Sequence, residues 1–177
     1  IPSDRLDMMI NNNNNIYIVY RSGGIQVEKF DGSTWTSLPT VGQGEYASID
    51  FDQNNIPHVA YQDHTITPKP VTIKYYDGSN WISVGSGATP LVGGTAPNNQ
   101  IEGPDLSISQ NGSIYVTYFD MGWGSPASVK TWNGSSWVFV GDSLFTSGDI
   151  ASLRIGTYNN QPYVSYCEVG NNNNIHM

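Results

Sequence analysis

The sequence repeats itself around its tyrosines, and this repetition limits the folds that the chain can adopt. With Tyr20, Tyr61, Tyr118 and Tyr166 in one column, the segments "MMINNNNNIYIVY", "IDFDQNNIPHVAY", "LSISQNGSIYVTY" and "LRIGTYNNQPYVSY" align, with one single-residue gap in the last. Three copies continue into a second block, "FDGSTW", "YDGSNW" and "WNGSSW". Such periodicity is typical of folds that stack one supersecondary unit several times.

Each copy predicts four short antiparallel strands. The first strand alternates apolar and polar residues, and the second, such as "IYIVY", is apolar on both faces and predicts cover on both sides. Asp-Gly-Ser or Asn-Gly-Ser joins the third and fourth strands, which is a strong hairpin signal. We therefore predict an all-β fold, a β-propeller of four-stranded antiparallel blades. A β-sandwich is the alternative, but it does not require the same pattern to recur in register.

The fourth copy stops before its Asp-Gly turn and its tryptophan. We expect a single propeller segment over residues 1–177, with blades at about 4–38, 45–85, 102–141 and 149–177. Three blades are then complete and the fourth is incomplete. Because an open sheet edge invites pairing, we expect the ring to be completed by the remainder of a longer propeller or by a second copy of the chain.

The pattern "PHVAY … VTIKYYDGSNWISVG" resembles the repeated blades of secreted or surface-attached bacterial β-propeller proteins, and the resemblance covers nearly the whole chain. It implies a location at the cell surface or outside the cell. The sialidase Asp-box fits less well, because the Asp-to-Gly and Asp-to-Trp spacings in "FDGSTW" are each one residue shorter. The recurring tryptophans, Trp35, Trp81 and Trp137, are expected to pack between blades.

Charge and hydropathy exclude several partners. The net charge is -8 and only seven Lys and Arg are present, which argues against nucleic acid binding. No apolar run approaches the roughly 20 residues that span a bilayer, so we predict no membrane insertion. The composition remains compatible with a carbohydrate or a protein partner.

We expect ligands at one end of the blades. Short turns link the first strand to the second and the third to the fourth, whereas the loops at the opposite end, which we call the variable end, range from about four to about nineteen residues. Carboxylates recur there at two positions, namely Asp63, Asp120 and Glu168 after the aligned tyrosine, and Asp4, Glu45, Glu102 and Asp149 before the first strand. Bonding to backbone amides is the favoured interpretation, and a polyhydroxyl or cationic ligand is the alternative.

One tryptophan lies outside the repeat, in "FDMGWGSPAS" at the variable end. This residue, Trp123, could contribute to a sugar-binding site, which needs a flat aromatic ring beside a carboxylate. An equal alternative is that Trp123 only anchors its own glycine-rich loop. The predicted ligand-binding residues are Trp123, Asp120, Asp63, His64, Tyr46, Glu45 and Glu102.

No cofactor is predicted, with calcium as a weak alternative. The segment "DFDQNN" matches the start of a calcium loop through Asp50, Asp52 and Asn54, but it lacks the glycine and the closing glutamate. A turn is the favoured interpretation.

The functional prediction is a non-catalytic extracellular propeller that binds a carbohydrate or a protein at the variable end. No residue is predicted to be catalytic. One alternative is the propeller of a carbohydrate-active enzyme, a glycoside hydrolase or lyase, with acids among Glu45, Asp63, Glu102 and Asp120. A second alternative is a structural surface or assembly module.

Overall fold

All regular secondary structure in the described part of the chain is β-strand. A computed structural model describes residues 6–67, 69–85, 101–120, 126–147, 150–168 and 175–176, with only the backbone of residues 101, 102, 175 and 176. Fifteen strands in these ranges form four antiparallel sheets, which we call blades 1 to 4. No helix among the described residues has the length and hydropathy needed to cross a membrane.

The sheets follow the repeat copies. Blade 1 contains β1 (Asp7–Ile10), β2 (Ile16–Arg21), β3 (Ile25–Phe30) and β4 (Trp35–Ser37). Blade 2 contains β5 (Gly44–Phe51), β6 (Pro57–Asp63), β7 (Val71–Tyr76) and β8 (Trp81–Ser83). Blade 3 contains β9 (Ile101–Ile108), β10 (Ile114–Asp120), β11 (Ala127–Trp132) and β12 (Trp137–Phe139), and blade 4 contains β13 (Ile150–Tyr158), β14 (Gln161–Glu168) and β15 (Ile175–His176). Neighbouring strands pair in chain order, as predicted.

The Asp-Gly-Ser and Asn-Gly-Ser segments form the predicted hairpins because the first side chain caps its own turn. Asp31 Oδ1 accepts hydrogen bonds from the N–H groups of Ser33 and Thr34, both at 2.9 Å. Asp77 and Asn133 make the equivalent pair of bonds in blades 2 and 3. The glycine of each turn has a positive φ of 96 to 100°, which a residue without a side chain adopts without strain.

The run of five asparagines is the turn between β1 and β2. Asn11 is buried, and its Oδ1 accepts hydrogen bonds from the N–H groups of Asn13 and Asn15 at 3.0 Å. Asn14 has a φ of 60°, in the left-handed region that asparagine tolerates. The N–H of Asn12 also donates to Asn55 Oδ1 at 2.9 Å, so this turn is tied to the corresponding turn of blade 2.

The hydrophobic core lies between blades, which stack face to face. Between blades 1 and 2 it contains Tyr17, Val19, Ile25, Val27, Val41, Ala47, Ile49, Val59 and Tyr61. Separate clusters join blade 2 to blade 3 and blade 3 to blade 4. All seven residues of β6 are buried, which confirms the predicted two-sided cover for that strand.

The outer face of blade 1 is open. Met8 and Ile10 are each 55% exposed, whereas Ile49 and Leu106, which align with Met8, are 1% and 4% exposed. Trp35 is 52% exposed for the same reason: no described residue covers this face. Among the described residues, Trp81 and Trp137 therefore pack between blades as predicted, whereas Trp35 does not.

Side chains of the innermost strands join each blade to the next. Asp7 Oδ2 accepts the N–H of Ile49 at 3.0 Å, and Asp105 Oδ2 accepts the N–H of Ile155 at 2.8 Å. Ser48, in the same alignment column as these two aspartates, accepts the N–H of Leu106 at 3.2 Å. Its hydroxyl lies 3.1 Å from a carboxylate oxygen of each aspartate. We call these contacts the inner-strand bonds.

We expect Asp105→Ala to lower the free energy of unfolding by about 3 kcal/mol, because the buried hydroxyl of Ser48 and the part-buried N–H of Ile155, in the two neighbouring blades, lose their acceptor. Asp105→Asn keeps one acceptor oxygen and should cost less than half of that. Urea titration of both variants and the unsubstituted chain measures the effect. Losses below about 0.5 kcal/mol in both variants would show that the inner-strand bonds do not stabilise the fold.

Candidate functional site

Three polar side chains meet at the variable end, between blades 1 and 2. Arg21 ends β2, Glu45 lies at the start of β5, and His64 follows β6. Arg21 Nη1 lies 3.2 Å from Glu45 Oε2, and His64 Nε2 lies 3.1 Å from Glu45 Oε1. We call these residues the inter-blade cluster, because Glu45 connects a side chain of blade 1 to one of blade 2.

Hydrogen bonds to blade 2 fix His64 in the cluster, and all three side chains remain partly exposed to solvent. The backbone N–H of His64 donates to the carbonyl of Gln43 at 2.9 Å, and His64 Nε2 lies 3.1 Å from Gln62 Oε1. The side chains of Arg21, Glu45 and His64 keep 41%, 20% and 26% of their surface exposed. A guanidinium that donates and a carboxylate that accepts therefore face solvent side by side.

Tyr46 lies next to the cluster in sequence but lines a different space. It has a φ of 55°, and the pairing of β5 with β6 is irregular between Glu45 and Ser48. A cavity of about 210 Å³ is lined by Tyr46, Gly103, Phe119, Ala151, Ser152, Leu153 and Arg154. This volume suits a single small ligand better than a drug-sized one.

Asp63 is buried and has hydrogen bonds to both carboxylate oxygens. Its Oδ1 accepts from the N–H and hydroxyl of Thr65 at 2.8 and 2.6 Å. Its Oδ2 accepts from the hydroxyls of Tyr61 at 3.3 Å and Thr72 at 3.1 Å. Burial, and then the charge of Asp63, raises the pKa of Tyr61. These contacts favour a structural role for Asp63 over ligand binding.

Asp120 occupies the equivalent position of blade 3 and is also fully buried. Glu168, at this position in blade 4, is 8% exposed, and the hydroxyl of Ser147 donates to its Oε1 at 3.4 Å. The recurring acids after the aligned tyrosine are thus buried, and a bond from a backbone amide, as the favoured interpretation expects, is seen for Asp63.

The candidate calcium residues belong to turns and to the blade interface. Asp52 Oδ1 accepts the N–H groups of Asn54 and Ile56 at 2.9 Å, as a turn requires. Asp50 Oδ2 accepts the N–H of Ile108 in blade 3 at 2.7 Å. Within the described ranges, no group of three or more His, Cys, Asp or Glu side chains is placed to hold a metal ion.

Two predicted residues fall outside what the structure describes. Trp123 lies in the range 121–125, and only the backbone of Glu102 is described, where it pairs with Phe119. The structure adds Arg21, which sequence analysis missed. The sequence does contain a signal for this residue. Arg21 directly follows the aligned Tyr20, and positively charged residues are rare in this chain, which has only seven Lys and Arg.

The chain is similar in structure to known lectins. It matches the Aleuria aurantia lectin in complex with Fucα1-6GlcNAc at 17% identity and a TM-score of 0.65, covering 97% of this chain and 58% of that one. The SapL1 lectin in complex with α-methyl fucoside matches at 18% identity and a TM-score of 0.65, covering 94% of this chain and 57% of that one. The fold is that of a β-propeller.

A glycosidase has a similar fold. An α-L-arabinofuranosidase from Clostridium thermocellum matches at 16% identity and a TM-score of 0.61, over 97% of this chain and 67% of that one. The chain spans only 57% to 58% of the two lectins. Searches with the sequence find no matching family model and no matching curated protein.

We predict opposite pH dependences for two carboxylates. Burial raises the pKa of Asp50, so its contribution to stability is fully present below the unfolded-state pKa and is lost as pH rises through the folded-state pKa. Hydrogen bonds from the backbone of Asn80 and Ser79 lower the pKa of Asp77, whose contribution is present above the unfolded-state pKa and is lost as pH falls through the folded-state pKa.

The comparison is Asp50→Asn against Asp77→Asn, with urea unfolding from about pH 3 to about pH 7. As pH rises, the unsubstituted chain should lose stability relative to Asp50→Asn and gain it relative to Asp77→Asn. Only these relative slopes are compared, because each substitution also has a pH-independent effect. A pH-independent difference for Asp50→Asn would contradict the assignment of a buried, proton-binding carboxylate.

Proposed function

We propose that the chain is part of an exported, non-catalytic β-propeller that binds a carbohydrate at its variable end. The inter-blade cluster is the observation that carries this proposal. Sugar hydroxyls both donate and accept hydrogen bonds, and the cluster offers the Arg21 guanidinium and the Glu45 carboxylate within 3.2 Å of each other. Charge-assisted bonds of this kind are stronger than neutral ones.

The neighbouring cavity supports the same ligand class. Tyr46 and Phe119 supply aromatic surface and Arg154 supplies a donor, so a sugar ring finds an apolar wall and a polar edge in one space. Trp123, which follows β10 in the sequence, is proposed as a further aromatic contact. The net charge of -8 favours neutral saccharides over acidic ones.

The structural neighbours guide the choice of saccharide. The Aleuria aurantia and SapL1 lectins are described as complexes with fucosides. We therefore propose α-fucosides as the first ligands to test. Since the chain spans little more than half of each lectin, the proposal places it within a larger propeller at the cell surface or outside the cell.

A glycoside hydrolase is the second candidate, because an α-L-arabinofuranosidase has a similar fold. Catalysis would need two carboxyl groups on either side of a glycosidic bond. At the variable end, Asp63 and Asp120 are buried, while Glu45 is partly exposed and paired with Arg21. Release of arabinose from arabinofuranosides by the purified chain would favour this second candidate over the first.

We expect Glu45→Ala to weaken carbohydrate binding by about tenfold to a hundredfold, since a charged hydrogen-bonding group is lost. A glycan array that includes α-fucosides identifies the ligand, and calorimetry then gives the Kd of each variant. Asp77→Ala removes a carboxylate from a turn at the opposite end of the blades and should leave the Kd unchanged. Trp123→Ala is measured in parallel to test the proposed aromatic contact.

Urea unfolding serves as a separate control that Glu45→Ala is still folded. A partly exposed ion pair contributes only about 0 to 1 kcal/mol, so Glu45→Ala should unfold at nearly the same urea concentration as the unsubstituted chain. An array without any bound glycan, or equal Kd values for Glu45→Ala and Asp77→Ala, would refute the proposed site.

A further inference from the structure

The dipeptide Asn-Gly occurs twice in the chain, as Asn111 with Gly112 and as Asn133 with Gly134. Asparagine is one of the thermolabile residues. A glycine after it has no side chain, so its backbone nitrogen can come close to the asparagine side chain. That approach leads to deamidation, in which the nitrogen closes a cyclic imide and ammonia leaves. Both dipeptides lie in exposed turns, so exposure does not distinguish them.

The turn at Asn133 polarises the side-chain amide that such a reaction attacks. Asn133 Oδ1 accepts hydrogen bonds from the N–H groups of Ser135 and Ser136 at 3.0 and 2.8 Å. It also accepts one from the hydroxyl of Ser135 at 3.0 Å. This oxygen carries the negative charge that develops when a nucleophile adds to Cγ. Donors that are already placed on it stabilise the addition intermediate, as an oxyanion hole does.

The attacking nitrogen differs between the two dipeptides. The Gly112 N–H donates to the carbonyl of Ser109 at 2.9 Å, and the Asn111 N–H donates to Asn160 Oδ1 in blade 4 at 2.9 Å. The exposed Gly134 N–H has no hydrogen-bond acceptor among the described residues. The nitrogen of Gly112 must therefore give up a hydrogen bond before it can attack, whereas that of Gly134 can lose its proton to solvent directly.

Blades 1 and 2 show that the acid formed by deamidation fits this turn. Asp31 and Asp77 occupy the position of Asn133 and accept the equivalent pair of N–H bonds. The bonds from the backbone of Asn80 and Ser79 lower the pKa of Asp77, so its side chain stays ionised. An ionised carboxylate resists attack by a nucleophile. The turn thus accommodates aspartate at position 133 and keeps it in an unreactive form.

We propose that Asn133 is a site of spontaneous deamidation in the folded chain and that the turn at Asn111 is protected from it. The Gly134 nitrogen loses its proton and bonds to Asn133 Cγ, and the bond from Cγ to Nδ2 breaks as ammonia leaves. Water then opens the succinimide: attack at Cγ gives aspartate, and attack at the main-chain carbonyl gives isoaspartate. Water is the only co-reactant. The product carries one more negative charge, at the end of the blades opposite to the variable end.

The experiment compares the two dipeptides within one chain. The purified chain is incubated at mildly alkaline pH, once folded and once unfolded in urea, and peptide mass spectrometry follows both asparagines. In the folded chain, Asn133 should react at least about fivefold faster than Asn111, because Gly112 must first lose its hydrogen bond. In urea the two rates should become similar, since neither turn is formed. This comparison uses the unsubstituted chain and does not depend on the folding of a variant.

The matched variants are Ser135→Ala and Ser113→Ala, each two positions after a reacting asparagine. Ser135→Ala removes a hydroxyl donor from Asn133 Oδ1 and should slow deamidation there by about threefold to fivefold in the folded chain. Ser113 contacts Asn111 Oδ1 through its N–H, so Ser113→Ala should leave the rate at Asn111 unchanged. Circular dichroism checks that both variants remain folded.

Three results would overturn the proposal. The first is an equal rate at Asn133 and Asn111 in the folded chain. The second is deamidation of Asn133 in urea but not in the folded chain, because the turn would then protect its side chain. The third is an unchanged rate at Asn133 in the Ser135→Ala variant, which would show that the donors on Oδ1 do not assist the reaction. Mass spectrometry needs no carbohydrate ligand, so this proposal and the proposed function can fail separately.

Discussion

The inner-strand bonds determine how the sheets are placed relative to one another. Hydrophobic contact between blades is strong but non-directional, and it leaves two flat apolar faces free to slide. A bond such as that from the Ile49 N–H to Asp7 at 3.0 Å fixes one inner strand against the next. This register brings the end of β2 beside the start of β5, which is why Arg21 and Glu45 meet. The candidate site thus depends on contacts at the inner strands.

The same bonds place carboxylates in a crowded, largely buried region. Asp7 and Asp105 occupy one alignment column with Ser48 between them, and the serine hydroxyl lies 3.1 Å from each. Two like charges in direct contact would cost several kcal/mol. The serine avoids this cost because it lies between the two carboxylates. The remaining repulsion is visible at Asp50, whose pKa is raised first by burial and further by these two charges. Alternation of Asp and Ser therefore has an electrostatic reason.

Much of the fold could be predicted because its signals are local. Each hairpin turn is encoded within a few residues, as for Asp31 and the asparagine run. The candidate site was harder to predict from the sequence, because the ion pair of Arg21 and Glu45 joins two blades and depends on how they stack. Recurrence by itself did not separate a structural role from ligand binding: at Asp63, the bonds from Thr65 and Thr72 favour the structural role. Trp35 shows the converse, since the tryptophan of an equivalent motif is exposed where no described residue covers it.

Equivalent residues differ in burial only because their neighbours differ. Tyr163 is 59% exposed in blade 4, while Tyr17, in the same column of blade 1, is 6% exposed. A blade therefore buries its apolar faces through adjacent blades, and its stability is shared with them. The inter-blade cluster lies at an interface between two complete blades, where both partners are fixed.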